Sequence, residues 1–219
     1  MLRNTEDLHV MTEKSLERPA FVYFDLGNVI VHFDHELGYQ KMADVAGCSP
    51  DRVRDAILTD DIQRTYETGE IDARVFYDHF CKLTETKPDF DRLYRASGDI
   101  FHLNIPVISV ITELRSRGVP LGVLSNTCAA HWDHCVQHYR LVRDMFAVTV
   151  LSYVVKCMKP DAAIYQAAIA QADCTPDRIV FVDDRTDNVA SAISAGLDAI
   201  QYTSAGKLAE DLRQRGLIA

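Results

Sequence analysis

Four clusters of polar residues, far apart in the chain, carry groups that could act on a phosphate. They are Asp25, Ser125–Asn126, Lys159 and Asp183–Asp184. The carboxylate of Asp25 could serve as a nucleophile, as a metal ligand, or as both. The hydroxyl of Ser125 and the amide of Asn126 suit hydrogen bonds to a phosphate oxygen, and Lys159 supplies a positive charge. Together these side chains predict a site for phosphoryl transfer.

The acidic members of this set predict a magnesium site. Asp183 and Asp184, together with Asp25, would offer the oxygen ligands that Mg²⁺ prefers. A carboxylate that attacks a dianionic phosphate meets like-charge repulsion, so a cation must lie between them. We therefore expect Mg²⁺ as the cofactor, with Lys159 as a second positive charge.

The elements that must position these clusters are short apolar runs that predict buried strands. The runs are Ala20–Phe24, Pro120–Leu124, Phe146–Leu151, Ile179–Val182 and Ala199–Tyr202. Helical patterns lie between them, over Pro106–Arg115, Asp161–Ala172 and Asn188–Ala195. Alternating strands and helices predict an α/β fold, a parallel sheet with helices on both faces. In such sheets ligands bind at the carboxyl ends of the strands, where the polar clusters fall.

Residues 34–103 interrupt this alternation with a run of predicted helices. These are Glu36–Val45, Pro50–Leu58, Asp72–Leu83 and Phe90–Phe101. An insertion directly after the first strand would form an all-α cap, a lid over the strand ends. We therefore predict a catalytic core of residues 20–33 and 104–219, a helical cap of residues 34–103, and a flexible leader of residues 1–19.

Four motifs in this order resemble the haloacid dehalogenase-like hydrolase superfamily. They are Phe24–Val29 (FDLGNV), Leu124–Thr127 (LSNT), Lys159–Asp161 (KPD) followed by Ile164–Tyr165, and Phe181–Asp184 (FVDD) followed by Asn188. The resemblance implies a Rossmann-like core, and the insertion is similar to the helical cap of that superfamily's first cap class. The Asp-x-Gly-Asn form of the first motif resembles a glucose-1-phosphatase-like branch.

The resemblance also implies a role for each residue of the site. Asp25 would be the nucleophile that forms an aspartyl-phosphate, and it would also bind Mg²⁺. The backbone carbonyl of Gly27 and the side chain of Asp184, with Asp183 beside it, would complete the metal site.

The remaining motif residues would act on the phosphate. Ser125 and Asn126 would hold the phosphoryl group, and Lys159 would bridge Asp25 and the phosphate.

One position departs from the family pattern. Most phosphatases of the superfamily carry a general acid two residues after the nucleophile, where this chain has Gly27. General acid catalysis typically contributes about 10²–10⁴-fold, so the source of the proton matters. His131 is a candidate donor, and Asp34 and His35, at the start of the cap, are second-rank candidates.

Two further features have alternative interpretations. His131, His134, Cys135 and His138 would share a helix face and could bind zinc, but their spacing fits no standard zinc pattern. A helix face with histidines near the site is the favoured interpretation. Lys156 is a candidate for substrate contact, whereas Lys159 precedes the Pro-Asp pair and is the predicted catalytic lysine.

Composition excludes several classes of partner. The 219-residue chain has a net charge of −9 and no basic stretch, which argues against nucleic acid. It contains no apolar run of the roughly 18 residues that a membrane helix needs. Six scattered cysteines without a Cys-x-x-Cys pair predict free thiols in a reducing compartment, and therefore a cytoplasmic location.

These observations predict a Mg²⁺-dependent phosphatase for a small soluble phosphomonoester, with a sugar phosphate as the first guess. One alternative is a 2-haloacid dehalogenase that uses Asp25 without a metal. The acidic pair and the lack of an arginine between Asp25 and Arg52 favour phosphate instead. Another alternative is a non-catalytic protein that binds a phosphorylated ligand, which Gly27 would support.

Overall fold

A computed structural model describes residues 19–219, so the predicted leader lies outside the described residues except for Pro19. The strands are β1 (Phe21–Phe24), β2 (Val31–Phe33), β3 (Phe101–Leu103), β4 (Leu121–Ser125), β5 (Val148–Leu151), β6 (Ile179–Asp183) and β7 (Asp198–Gln201). Five of them form a parallel sheet in the order β5-β4-β1-β6-β7. Each of these five coincides with a predicted apolar run.

The helices connect the strands and form the insertion. They are α1 (His35–Ala46), α2 (Pro50–Leu58), α3 (Ile62–Glu67), α4 (Ala73–Thr84), α5 (Phe90–Gly98), α6 (Ile105–Ser116), α7 (Ala129–His138), α8 (Arg140–Met145), α9 (Ser152–Val155), α10 (Ala162–Ala172), α11 (Thr186–Ser194) and α12 (Ala205–Gln214). Short 3₁₀ turns cover Thr59–Asp61 and Pro176–Arg178. Within the described part of the chain, none of the helices has the length and hydropathy of a membrane span.

Helices cover both faces of the sheet, as predicted. Successive side chains of a strand point to opposite faces, so β1 contributes to two cores. Val22 and Phe24 pack in one core with residues of α6 and α12. Phe21 and Tyr23 pack in the other with residues of α10 and α11. The predicted α/β fold is therefore confirmed.

A small antiparallel sheet, which the sequence patterns did not reveal, connects the insertion to the core. Strands β2 and β3 pair with Phe33 opposite Phe101, and helices α1–α5 lie between them. The helix predicted to reach Phe101 ends at Gly98, and that prediction was wrong at its end. Phe101 pairs with Phe33 across the strands and packs against its ring, with centroids 6.2 Å apart. These contacts place Phe101 in a strand.

Candidate active site

The carboxylate of Asp25 lies at the end of the central strand. Its backbone N–H donates to the carbonyl of Val182 at 2.8 Å, which continues the β1–β6 ladder one residue beyond the strand. The N–H of Leu26 donates to Asp25 Oδ1 at 2.7 Å. Asp25 is only 8% exposed, so the fold fixes its carboxylate at the edge of the sheet.

Lys159 is buried against Asp25 and Asp183. Its Nζ lies 2.9 Å from Asp25 Oδ1 and 2.7 Å from Asp183 Oδ2, and it donates to the carbonyl of Leu124 at 3.0 Å. An ammonium group has three donors, so these acceptors use all of them. Lys159 therefore acts on its surroundings through its charge rather than through a spare hydrogen bond.

Asp25 and Lys159 each shift the pKa of the other. Burial raises the pKa of Asp25 to about 7, and the nearby Lys159 opposes that rise. Burial alone would lower the pKa of Lys159, but Asp25 and Asp183 outweigh burial and raise it. Lys159 thus remains protonated, and its positive charge favours the ionised, nucleophilic form of Asp25.

Asn126 holds the backbone around Lys159. Its Nδ2 donates to the carbonyl of Lys159 and its Oδ1 accepts from the N–H of Lys159, both at 2.8 Å. The buried hydroxyl of Ser125 lines the same pocket as Asp25. The side chain of Asn126 therefore positions the backbone of Lys159, a task that the motif alone did not indicate.

Three carboxylates converge at the edge of the sheet where β1 and β6 end. Oxygens of Asp25, Asp183 and Asp184 lie within 4.8 Å of one another. Asp183 is fully buried and accepts hydrogen bonds from Lys159, Asn188 and the N–H of Arg185. Asp184 is more exposed, and its Oδ2 accepts from Asn28 at 3.1 Å. This oxygen-rich set suits Mg²⁺, and Asp184 offers more free lone pairs than Asp183.

These side chains open into two adjoining cavities. The first, of about 470 Å³, contains Asp25, Ser125, Lys159 and Asp184. The second, of about 300 Å³, extends into the insertion and is lined mostly by apolar side chains, among them Tyr39, Met42, Ile57, Tyr66 and Phe76. The four residues that line both cavities are His35, Glu67, Ile100 and His131. A ligand of two parts, one polar and one apolar, fits this arrangement.

The candidate proton donors lie in different surroundings. Asp34 caps helix α1, accepting from the N–H of Leu37 at 3.1 Å. His131 faces both cavities, and burial lowers its pKa to about 4, with His35 and His134 adding to the effect. The imidazole of His131 is therefore neutral at pH 7 and a poor proton donor.

The other side chains of α7 and Lys156 do not reach the first cavity. The rings of His134 and His138 stack 4.1 Å apart, while Cys135 is buried in the core of the sheet. Within residues 19–219, the side chains that converge closely enough to hold a metal ion are those of Asp25, Asp183 and Asp184. Lys156 donates to the carbonyl of Gly69 in the insertion, and it does not line the pocket around Asp25.

Sequence analysis missed two residues, Glu67 and Ser152. Glu67 ends helix α3 and lines both cavities. The buried hydroxyl of Ser152 donates to the carbonyl of Glu67 at 2.6 Å and accepts from the N–H of Thr127 at 2.9 Å. Neither residue belongs to a motif, and the only local signal was Gly69, which follows Glu67 as a helix-ending glycine.

The chain belongs to the haloacid dehalogenase-like hydrolases, because the model of that family matches residues 21–196. The predicted superfamily is therefore confirmed, and the protein is a hydrolase of this family.

Several relatives carry the names of phosphatases. The chain is 21% identical over 192 residues to a sesquiterpene phosphatase, AstK, of Aspergillus oryzae, which covers 87% of this chain and 93% of that protein. It is 31% identical over 139 residues to the glyceraldehyde 3-phosphate phosphatase of Methanothermobacter thermautotrophicus. That match covers 58% of this chain and 60% of the other protein.

A solved structure shares the fold. A family enzyme of Bacteroides thetaiotaomicron, crystallised with magnesium and inorganic phosphate, superposes with a TM-score of 0.73. The two chains are 23% identical, and the match covers 85% of this chain and 95% of the other.

Proposed function

We propose that the protein is a Mg²⁺-dependent phosphatase that hydrolyses a small phosphomonoester through an aspartyl-phosphate on Asp25. The observation that carries this proposal is the surroundings of Asp25. Lys159 Nζ lies 2.9 Å from its carboxylate, and oxygens of Asp183 and Asp184 converge on the same point. A haloacid dehalogenase that attacks carbon does not need such a set of acidic oxygens. Phosphatase names among the relatives support the same conclusion.

In the first chemical step, an oxygen of Asp25 forms a bond to phosphorus. The bond between phosphorus and the ester oxygen breaks, and its electron pair stays on that oxygen. Ser125 and the backbone around Asn126 would hold the phosphoryl group, and Lys159 would keep Asp25 ionised. Water then attacks the phosphorus, the bond to Asp25 breaks, and phosphate leaves.

The metal would be held by Asp25, Asp184 and the backbone carbonyl of Gly27, with the charge of Asp183 behind them. When bound, Mg²⁺ supplies the positive charge that offsets repulsion between the carboxylate and the phosphate. The charge of Lys159 alone does not balance three carboxylates within 4.8 Å, so a divalent cation would stabilise the set.

Residues 34–103 would act as the cap. Closure over the pocket would exclude water during the first transfer, and reopening would release the product. The metabolite that fills the closed pocket would be small and phosphorylated. A sugar phosphate is the first class to test, and the apolar second cavity adds phosphates of apolar alcohols to the set. The cytoplasmic location also stays a prediction.

The test measures hydrolysis of p-nitrophenyl phosphate and sugar phosphates, with and without Mg²⁺, by wild type and Asp25→Asn. We expect turnover that requires Mg²⁺ and disappears in the variant. Chloride release from 2-chloropropionate without Mg²⁺ would support the dehalogenase instead. Micromolar binding of a phosphorylated ligand without turnover would support a non-catalytic binding protein.

A further inference from the structure

The position of the leaving oxygen follows from the two cavities. A phosphomonoester that reacts at Asp25 places its phosphoryl group in the first cavity. Its organic part then extends into the second cavity, within the insertion. The ester oxygen joins these two parts, so it must lie at the junction of the cavities. A group that protonates this oxygen has to face the same junction.

Of the four residues at the junction, three carry titratable side chains, and their surroundings distinguish them. Ile100 has no proton to give. His131 is neutral, because its pKa is lowered to about 4 by burial. His35 is an exposed side chain at the start of α1, whereas Glu67 is partly buried. Burial raises the pKa of the Glu67 carboxyl, which increases the fraction that carries a proton.

Several contacts hold Glu67 at this place. Gln63, one turn earlier on α3, donates to Glu67 Oε1 at 2.6 Å, which leaves Oε2 for the proton. The backbone of Glu67 is tied to the phosphate-binding side of the core through Ser152, which also binds the N–H of Thr127. Thr127 directly follows Ser125–Asn126. Glu67 is thus fixed relative to the phosphoryl site although it belongs to the insertion.

We propose that Glu67 is the general acid that replaces the missing aspartate at position 27. The inference rests on the proposed phosphatase activity. As the bond between phosphorus and the ester oxygen breaks, the proton on Glu67 Oε2 passes to that oxygen and the alcohol leaves. Glu67, now a carboxylate, takes a proton from the attacking water as phosphorus forms its new bond to the water oxygen. The bond to Asp25 then breaks, and the enzyme returns to its starting state.

The test compares two substrates of similar shape that differ in leaving group. p-Nitrophenolate is a stable anion and leaves without help, whereas the benzyl alkoxide formed from benzyl phosphate needs a proton. For Glu67→Gln we expect kcat/KM to fall by about 10²–10⁴-fold with benzyl phosphate and by less than about tenfold with p-nitrophenyl phosphate. The second step would slow as well. p-Nitrophenyl phosphate should therefore give a burst of one equivalent of p-nitrophenolate, followed by slow turnover.

Control variants separate this role from others. Glu70→Gln makes the same chemical change three residues further along, at an exposed side chain, and should leave both substrates unaffected. His35→Gln tests the rival donor. A leaving-group-dependent loss in His35→Gln rather than in Glu67→Gln would overturn the proposal. So would an equal loss on both substrates without a burst, in a Glu67→Gln protein with an unchanged melting temperature. An inactive wild type would instead refute the proposed function itself.

Discussion

The ring of Phe33 lies against the α-carbon of Gly27, where the family's general acid would begin. Phe33 Cε1 is 3.0 Å from the point that a Cβ on Gly27 would occupy. The ring is itself held between Phe101 and His35, with centroids 6.2 Å and 4.9 Å away. The packing of the β2–β3 sheet therefore crowds the place where a side chain at position 27 would begin.

This contact predicts that a side chain at position 27 is destabilising. Gly27→Ala should lower the free energy of unfolding by about 1–3 kcal/mol, the usual effect of overpacking. Removing the ring in Gly27→Ala/Phe33→Ala should make the effect of the added methyl group smaller, which urea unfolding of the four proteins would measure. Strictly additive effects would mean that the two positions do not interact.

The burial of Lys159 between Asp25 and Asp183 predicts that removing its charge strongly destabilises the protein. Lys159→Met would leave Asp25 and Asp183 buried without their cation, and we expect a loss of about 3–5 kcal/mol. Lys156→Met is a matched control, because Lys156 is exposed and binds only a carbonyl of the insertion in the described structure. It should change stability by less than about 1 kcal/mol. Similar losses in both variants, in urea unfolding without Mg²⁺, would contradict the central role of the Lys159 ion pairs.

Two glycines with the same backbone conformation provide a test of how the insertion contacts the core. Gly47 and Gly69 have φ values of +70° and +67°, so an alanine at either would be strained. A Cβ on Gly47 meets nothing within 4 Å, whereas one on Gly69 would lie 2.1 Å from the carbonyl oxygen of Tyr153. Gly69→Ala should therefore destabilise the protein by about 1–3 kcal/mol more than Gly47→Ala.

The catalytic activities of Gly69→Ala and Gly47→Ala should differ as well. Gly69→Ala should also reduce kcat/KM, because the displaced turn carries Glu67. Gly47→Ala should keep the activity of the wild type, since Gly47 ends helix α1 away from both cavities. Equal activities would indicate that the turn after α3 is free to move without effect on the site.

His131 predicts a pH dependence of stability. Its pKa falls from about 6.5 in the unfolded chain to about 4 in the folded protein, owing to burial first and then to His35 and His134. As the pH falls from about 6.5 to about 4, the unfolded chain binds this proton and the folded protein does not, so stability declines. His131→Gln should decline less over this range in urea unfolding. His102→Gln, at an exposed side chain of β3, serves as the control and should follow the wild type.

The second cavity predicts a preference among leaving groups. Most of its lining is apolar, and a buried hydroxyl without a partner costs about 1–3 kcal/mol. A phosphate of an apolar alcohol, such as cyclohexyl phosphate, should therefore show a higher kcat/KM than glucose 1-phosphate. Ile57→Asn, which places an amide in the cavity, should reduce the difference in kcat/KM between the two substrates. A strong preference for the sugar in the wild type would instead identify Gln63, Ser97 and the histidines as hydroxyl partners.

The sequence alone predicted which polar side chains meet in the site, because each of them lies at the end of a strand. Apolar runs predicted all five strands of the main sheet, and parallel strands end at one edge. Asp25, Ser125 and Asp183 therefore had to be close together, whatever the details of packing. The family resemblance added Gly27 as an expected metal ligand and Lys159 as the expected bridge between Asp25 and the phosphate, which strand patterns alone do not specify.

Other relationships needed the tertiary structure, because they join residues that no local pattern connects. The contact of Phe33 with Gly27 depends on the pairing of β2 with β3, across an insertion of five helices. The position of Glu67 depends on hydrogen bonds between a cap turn and Ser152, residues 85 positions apart. Sequence determined which strand ends carry Asp25 and the acidic pair, since strand periodicity is local. Only the packing of the insertion on the core decided that Glu67 lines the pocket of Asp25, because that contact is made between distant segments.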